Sequence, residues 1–97
     1  MEQMLFAVHA LDHGDALERR LEHYEAHKSY LAASSVKTVV SGPLLADDGE
    51  TMIGSLFIVE ADKKEDVIAF NRADPFFRAG VWKEVQINPF SKRVDNR

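Results

Sequence analysis

The sequence predicts an α+β fold in which four antiparallel strands form one sheet and two helices cover one of its faces. Short apolar runs typical of strands occur four times along the 97 residues, and two other segments carry apolar residues at helical spacing. The segments follow one another as strand, helix, strand, strand, helix, strand, which is the order of the ferredoxin-like or split βαβ arrangement. With 45% hydrophobic residues, a chain of this length suits a single domain over residues 1–97.

The first strand and the first helix come from the N-terminal third of the chain. The run Leu5 to Val8 is apolar at every position, as expected for a strand in the middle of a sheet. Asp15 followed by Glu18 predicts a capping box at the start of a long helix that ends at Ser34-Ser35. This helix carries an apolar stripe composed of Leu17, Leu21, Tyr24 and Leu31.

A hairpin follows the first helix. The stretch from Val36 to Ser41 is rich in β-branched residues and predicts a strand that closes at Gly42-Pro43. The acidic stretch Asp47-Asp48-Gly49 predicts the turn into a third strand, from about Met52 to Glu60.

The second helix and the fourth strand complete the fold. Asp62 with Glu65 repeats the capping signal, and Val67, Ile68 and Phe70 form the apolar side of the helix. Proline disfavours helical geometry in the residue before it, so we expect this helix to stop at Ala73 and Asp74 to be extended. The last strand is expected from about residue 81 to 89.

One face of the predicted sheet has no helix to cover it. Leu5 and Ala7 of the first strand would form an apolar patch on that face, together with alternate residues of the third strand. Those residues are either Leu56 and Ile58 or Phe57 and Val59. We therefore expect a homodimer that buries this face between two copies of the chain.

Composition excludes several classes of function. The net charge of -4 argues against nucleic acid or an anionic membrane as the main partner, because phosphate binding needs a concentrated cationic surface. The absence of cysteine excludes disulfides, a thiol nucleophile and sulfur-ligated metals. Without a signal-peptide pattern or an apolar run of membrane-spanning length, the expected location is the cytoplasm.

Two residues distant in sequence are the candidates for acid/base chemistry. Asp74 presents a carboxylate at a bend directly before Pro75 and Phe76. His27 lies on the rim of the apolar stripe of the first helix, on the same side as Arg20. In this fold the loop before the last strand can approach the first helix, so the two side chains could form a His-Asp pair. The alternatives are an ordinary helix-end aspartate and a surface histidine.

Other polar residues have weaker signals. Gly42-Pro43 and Gly54-Ser55 are candidates for the floor of a cleft, because glycine lets a ligand approach the backbone and Ser55 offers a hydroxyl. His23 and His27 stand four residues apart, but Glu does not follow the first of them, so we do not expect a metal site. We expect His9, Asp12 and His13 to be solvated.

An ordered set of short motifs resembles the YciI-like (YCII-related) family. The motifs are Glu25-Ala26-His27, Ser41-Gly42-Pro43-Leu44, Gly54-Ser55, Ala73-Asp74-Pro75-Phe76, Ala79-Gly80-Val81 and Asn88-Pro89-Phe90. The resemblance implies a ferredoxin-like subunit, a dimer of the dimeric α/β-barrel type, and a cleft that contains His27 and Asp74. One characterised relative is a dehydrochlorinase acting on a chlorinated hydroxyhydroquinone, and muconolactone isomerases resemble the family in fold.

The expected function is therefore a small acid/base enzyme, an isomerase or lyase acting on a cyclic or aromatic-derived metabolite. His27 would move the proton and Asp74 would orient it, with no organic cofactor or metal. Substrate contacts are expected from Arg20, Tyr24, Gly42, Pro43, Ser55 and Phe76. The alternative is a dimeric binding or regulatory module that uses the same cleft without catalysis. A cofactor-independent monooxygenase of the related barrel type is a third possibility.

The chain departs from the family pattern at three positions. The family often has Arg-Pro before Ala-His, where this sequence has Tyr24 and Glu25, so an anion contact from that arginine would have to come from Arg20. Lys28 replaces a usually apolar residue on the predicted buried stripe. It would either extend along the cleft edge or mark an altered ligand site.

Overall fold

The computed structural model describes residues 4–97 and shows one antiparallel sheet with helices on one face. The strands are β1 (Met4–Asp12), β2 (Lys37–Leu45), β3 (Met52–Ala61) and β4 (Trp82–Phe90). The helices are α1 (Leu17–Ala33), α2 (Lys64–Arg72) and the short α3 (Pro75–Arg78). The strand order β2-β3-β1-β4 confirms the ferredoxin-like fold, and α3 is an addition that the sequence analysis did not predict. No helix within residues 4–97 is long and apolar enough to cross a membrane.

The core lies between the sheet and the helices. Alternate residues of the central strand β1 point into it, and Phe6, Val8 and Ala10 are buried. Val8 pairs with Phe57 of β3 and Phe6 pairs with Val59, so these β3 residues also face the helices. The register thus decides between the two predicted sets of β3 residues.

The opposite side of the sheet, here called the helix-free face, carries the other β1 and β3 residues. Ala7 pairs with Ile58, and His9 pairs with Leu56, which is exposed. Val40 of β2 lies opposite Ile58 and is also exposed. The face is therefore apolar across three neighbouring strands, with Leu5 at one end of the β1 row.

The predicted apolar stripe of α1 is wrong in its first half. Leu17 and Tyr24 are exposed and Leu21 is 57% exposed, whereas the buried α1 residues are Arg20 and His27. The reason is that carboxylates from β1 and from the α2–α3 junction receive these two polar side chains inside the molecule. Polar contacts, and not the leucines, thus set which side of α1 faces the sheet.

The predicted N-cap positions, Asp15 and Asp62, are wrong by one residue, because each helix begins one residue later. Ala16 occupies the N-cap position of α1 and Lys63 that of α2, and neither makes a side-chain cap hydrogen bond. The Asp15 carboxylate instead lies 3.4 Å from the Arg19 guanidinium on the helix surface. The acidic residues remain near the helix N-termini, where the helix dipole favours them.

The strand β2 continues through Gly42-Pro43, where the sequence analysis predicted that it would close. Proline is tolerated here because β2 is an edge strand, so the missing N–H interrupts no ladder between two neighbours. Gly54, which was predicted to let a ligand approach the floor of a cleft, has a different role. A Cβ at Gly54 would overlap the carbonyl oxygen of Ala10, so this glycine permits the close pairing of β3 with β1.

The predicted β2–β3 turn is confirmed and is organised by Asp48. Its carboxylate accepts hydrogen bonds from the backbone N–H groups of Glu50 and Thr51 at 2.8 and 2.9 Å and from the Thr51 hydroxyl at 2.6 Å. These bonds, of which that from the Thr51 hydroxyl has the largest effect, lower the pKa of Asp48 to about 2. Gly49 adopts the left-handed conformation that the turn requires, with φ of 72°.

Acidification should therefore remove stability that this turn provides. The folded pKa of Asp48, about 2, lies below the ordinary value of 3.8, so its contribution is present above pH 4 to 5 and is lost as the pH falls towards 2. We expect calorimetry to show a lower Tm for Asp48→Asn than for the wild type at pH 7. Between pH 5 and pH 2, the Tm of Asp48→Asn should fall less than that of the wild type. Asp47→Asn, a neighbour that makes none of these bonds, is the control. Parallel Tm profiles of Asp48→Asn and the wild type would contradict the assignment.

Candidate active site

Asp74 is held at the junction between α2 and α3. Its backbone is extended, with φ of -65° and ψ of 135°, as the following proline predicts. It is the N-cap residue of α3, and its Oδ1 accepts the N–H of Phe76 at 2.8 Å. Since only 1% of its surface is exposed, the carboxylate depends on protein donors to replace water.

His27 is the second donor to this carboxylate. Its Nδ1 lies 2.9 Å from both Oδ1 and Oδ2 of Asp74, and 7% of the residue is exposed. A carboxylate accepts hydrogen bonds, so the proton of the neutral imidazole belongs on Nδ1. The other nitrogen, Nε2, then carries a lone pair and can accept a proton. The structure thus brings together the two residues that the sequence singled out.

Three aromatic side chains surround the imidazole. The Phe76 ring stacks on it with centroids 4.0 Å apart and an interplanar angle of 12°. Trp82 meets it edge-on at 6.4 Å and Phe57 lies tilted at 5.8 Å. These contacts leave the ring little freedom to rotate away from Asp74.

Arg20 belongs to a second buried polar network. Its Nε donates to Oδ2 of Asp12 at 2.8 Å, and its Nη2 donates to Oδ1 of Asp12 at 3.0 Å and to Oγ of Ser55 at 2.7 Å. The guanidinium also lies 4.7 Å from the centre of the Phe76 ring. The expectation that Asp12 is solvated is wrong, because Asp12 follows Ala10 on the helix side of β1 and reaches the buried arginine.

A cavity of about 340 Å³ adjoins both networks, between α1 and the β2–β3 end of the sheet. It is lined by His27 and by all six predicted substrate contacts, namely Arg20, Tyr24, Gly42, Pro43, Ser55 and Phe76. Asp74 is not on the lining and lies behind His27. The predicted site residues are therefore contiguous in space.

Tyr30 supports the same region from the next turn of α1. Its hydroxyl donates to the carbonyl oxygen of Phe70 at 2.7 Å, one of the last carbonyls of α2, which lack a partner within that helix. Burial, and secondarily the negative charge of Asp74, raises the pKa of Tyr30. Tyr30 was not among the predicted residues, because no sequence motif links it to Phe70, 40 positions away.

Comparison with known proteins places the chain in a family. The sequence model of one protein family, the YCII-related domain, matches residues 4–91. The chain belongs to the YCII-related family. Protein YciI of Escherichia coli and Protein YciI of Shigella flexneri are each 33% identical to it over 96 residues, covering 92% of this chain and 98% of theirs.

A solved structure of a YCII-type relative also resembles this one. It is 5-chloro-2-hydroxyhydroquinone dehydrochlorinase from Burkholderia phenoliruptrix in complex with 2,5-dihydroxybenzoquinone. The sequences are 33% identical, the TM-score is 0.82, and the match covers 91% of this chain and 94% of that one.

Two of the three positions at which the chain departs from the YCII pattern, Tyr24 and Lys28, line the cavity. Lys28 is half-exposed, with Nζ 3.5 Å from the Glu25 carboxylate and 5.0 Å from the centre of the Tyr24 ring. Lys28 is therefore not on a buried stripe. Its position agrees with the interpretation that its side chain extends along the edge of the cleft. The cavity lining that sequence analysis missed is mainly apolar, with Leu21, Leu31, Met52 and Phe57 beside Ser41 and Lys28.

No cluster of three or more His, Cys, Asp or Glu side chains that could hold a metal occurs within residues 4–97. His23, four residues before His27 in the sequence, lies one turn earlier on α1. Nδ1 of His27 is already bonded to Asp74.

The buried ion pair of Arg20 and Asp12 should dominate the stability of this end of the molecule. We expect Arg20→Met to lower the free energy of unfolding by about 3–5 kcal/mol, because it leaves the Asp12 carboxylate buried without its charge partner. In a double-mutant cycle with Asp12→Asn, measured by urea denaturation, the two effects should be non-additive by about 1 kcal/mol or more.

The control for that cycle is the exposed pair of Arg19, on α1, and Asp15, which lies just before the helix. Asp15→Asn should change the free energy of unfolding by less than about 0.5 kcal/mol, since exposed pairs contribute little. It leaves the hydrogen bond from Arg19 to the Gly80 carbonyl oxygen in place. Additive effects of Arg20→Met and Asp12→Asn would show that the pair is not coupled as its geometry indicates.

Proposed function

We propose that this protein is a cofactor-independent lyase or isomerase that transfers a proton on a cyclic or aromatic-derived metabolite bound in the 340 Å³ cavity. The observation that carries the proposal is the bond between His27 Nδ1 and the buried Asp74 carboxylate. It holds the imidazole in the tautomer in which Nε2 can accept a proton, on the wall of a cavity of a size suited to a small ring compound.

The proposed reaction begins with transfer of a proton from an acidic O–H or C–H group of the substrate to Nε2 of His27. The electron pair of that bond becomes a new double bond. In the lyase version, the ring reacts as a keto tautomer in which the carbon that bears the leaving group is sp³. The electrons flow through the conjugated system and leave with that group as an anion, and the imidazolium then gives its proton to solvent. In the isomerase version, the electrons move a double bond and the same imidazolium returns the proton to another carbon. Asp74 stabilises the imidazolium while it is charged.

Two observations support this class of reaction. The related dehydrochlorinase, 33% identical, acts on a chlorinated hydroxyhydroquinone and is complexed with a dihydroxybenzoquinone, and both are six-membered rings with acidic hydroxyl groups. In this chain, Leu21, Leu31, Met52 and Phe57 provide an apolar lining for such a ring, and Ser55 provides a hydroxyl. The substrate contacts predicted for Arg20, Tyr24, Gly42, Pro43 and Phe76 belong to the same proposal.

We also propose that two copies of the chain associate through the helix-free face. Its apolar residues extend over β1, β2 and β3 and include the exposed Leu56 and Val40. A monomer would leave this surface in water, whereas a symmetric dimer would bury it on both copies. A cytoplasmic location remains a prediction from composition.

Replacing Asp74 by Asn should separate the role of the carboxylate from its place in the fold. The Asn side chain retains an oxygen that can accept the Phe76 N–H, but its amide can donate to Nδ1 of His27 and move the imidazole proton to Nε2. We expect kcat on a chlorinated hydroxyhydroquinone to fall at least about 100-fold in Asp74→Asn and in His27→Gln. NMR of the imidazole nitrogens should show the changed tautomer in Asp74→Asn.

The matched control is His23→Gln, one turn away on the same helix. It should leave turnover unchanged. If Asp74→Asn or His27→Gln kept full activity, the proposed proton transfer would be wrong. If the wild type bound ring compounds without converting them, and His27→Gln bound them equally well, the non-catalytic binding module would be the correct interpretation.

The dimer should depend on the centre of the helix-free face. We expect the wild type to sediment as a dimer at micromolar concentration and Leu56→Glu to sediment as a folded monomer, because the change places a charge within the apolar contact. Leu17→Glu, at an exposed leucine on the helix side, should remain dimeric. A monomeric wild type would refute the proposed interface.

A further inference from the structure

A second cavity of about 460 Å³ lies on the helix side of the sheet, between α2 and the edge strand β4. We call it the α2–β4 groove. Trp82 lines it, and the same indole ring contacts His27, Phe57 and Phe76 of the candidate active site. Val85 and Ile87 of the groove pair with Ala10 and Val8, whose side chains face the helices. The groove is therefore on the side opposite the helix-free face and would stay open in the proposed dimer.

Two buried N–H donors on the groove lining have no partner. Nδ2 of Asn71 and Nε1 of Trp82 make no hydrogen bond within the part of the chain that the structure describes. Asn71 is 3% exposed and Trp82 is 7% exposed, and both residues line the groove. Buried polar groups in folded proteins almost always have a partner, so two such donors beside one cavity indicate a site for an acceptor.

The charges around the groove favour a negatively charged acceptor. Lys64 and Arg72 of α2 and Lys83 of β4 line it, and no carboxylate is among the lining residues found within residues 4–97. None of these three cations takes part in the ion pairs that the described residues form. Every ionised side chain that faces the groove is thus positive and is not already neutralised.

The remaining lining is apolar. Ile68 of α2, Phe77 of α3, and Val85 and Ile87 of β4 provide hydrocarbon surface next to the donors. An inorganic anion would leave this surface in water. A molecule with a carboxylate at one end and a small apolar body would match both parts of the lining.

We propose that the α2–β4 groove is a binding site for a small organic carboxylate. Because both N–H donors are closed to water in the free protein, binding requires the Asn71 and Trp82 side chains to rotate towards the groove. The carboxylate oxygens then accept hydrogen bonds from Asn71 Nδ2 and Trp82 Nε1, and Arg72 and Lys83 balance the charge. The apolar body packs against Ile68 and Val85. This site is separate from the cavity that contains His27, and it does not depend on the reaction proposed above.

Benzoate is a suitable probe, and NMR of the full chain with ¹⁵N labelling is a suitable measurement. The chain contains one tryptophan, so the spectrum contains a single indole N–H signal. We expect benzoate to shift this signal and the Asn71 side-chain amide signals downfield in a saturable manner. Arg72→Gln combined with Lys83→Gln should weaken the affinity at least about tenfold, because charge-assisted hydrogen bonds and charge balance are lost.

Matched controls separate this site from other effects. Lys37→Gln combined with Lys92→Gln removes two positive charges away from the groove and should leave the affinity unchanged. Asn71→Leu removes one donor at similar volume and should weaken binding while the fold, followed by circular dichroism, is retained. Benzyl alcohol, which has the ring without the charge, should produce no saturable shift of the indole signal.

Three results would overturn the proposal. The first is the absence of a saturable shift with benzoate. The second is a shift that persists in the Arg72→Gln, Lys83→Gln protein but disappears in His27→Gln, which would place benzoate in the other cavity. The third is equal affinity for inorganic phosphate and benzoate, which would show that the apolar lining takes no part in binding.

Discussion

The architecture of the candidate site depends on one constraint, the need of the buried Asp74 carboxylate for donors. Water does not reach it. Of its two donors among the described residues, one is close to it in the sequence and the other is distant. The N–H of Phe76 is local and is positioned by the turn that Pro75 imposes. His27 comes from α1, 47 residues earlier. The same bond therefore joins α1 to the α2–α3 junction and sets the orientation of the imidazole, so fold and proposed chemistry are linked through it.

Arg20 attaches the other end of α1 in a similar way. Its bonds to Asp12 and Ser55 join the helix to β1 and β3, and Phe76 lies between this network and His27. With two buried polar anchors on one side of α1, the leucines at neighbouring positions are directed towards solvent or the cavity. As a result, apolar side chains line the cavity next to the buried Arg20 and His27. Because these side chains are not packed against another part of the protein, a ring compound can bind against them.

The sequence predicts the strand order, the bend at Asp74 and part of the cavity lining, because each depends on local rules or on a recognised pattern. Proline restricts the residue before it wherever it occurs, and this places Asp74 correctly. The buried side of α1 could not be predicted in the same way. Periodicity assumes that apolar residues are buried, whereas Arg20 is buried by Asp12, which no local pattern connects to it. The path of β2 through Pro43 likewise depends on its position at the sheet edge, which is a property of the whole sheet.

The two cavities differ in how their cations are used, and this difference indicates different ligands. In the candidate active site, Arg20 is paired with Asp12 and Lys28 with Glu25, so neither carries an unbalanced charge. Such a site suits a neutral or weakly acidic ring whose proton His27 can take, and less a strong anion. In the α2–β4 groove, the lining cations are not engaged in the described ion pairs and the buried donors are unoccupied. Since Trp82 contacts both regions, a ligand in the groove would touch the ring that packs against His27, which gives the two sites a direct physical connection.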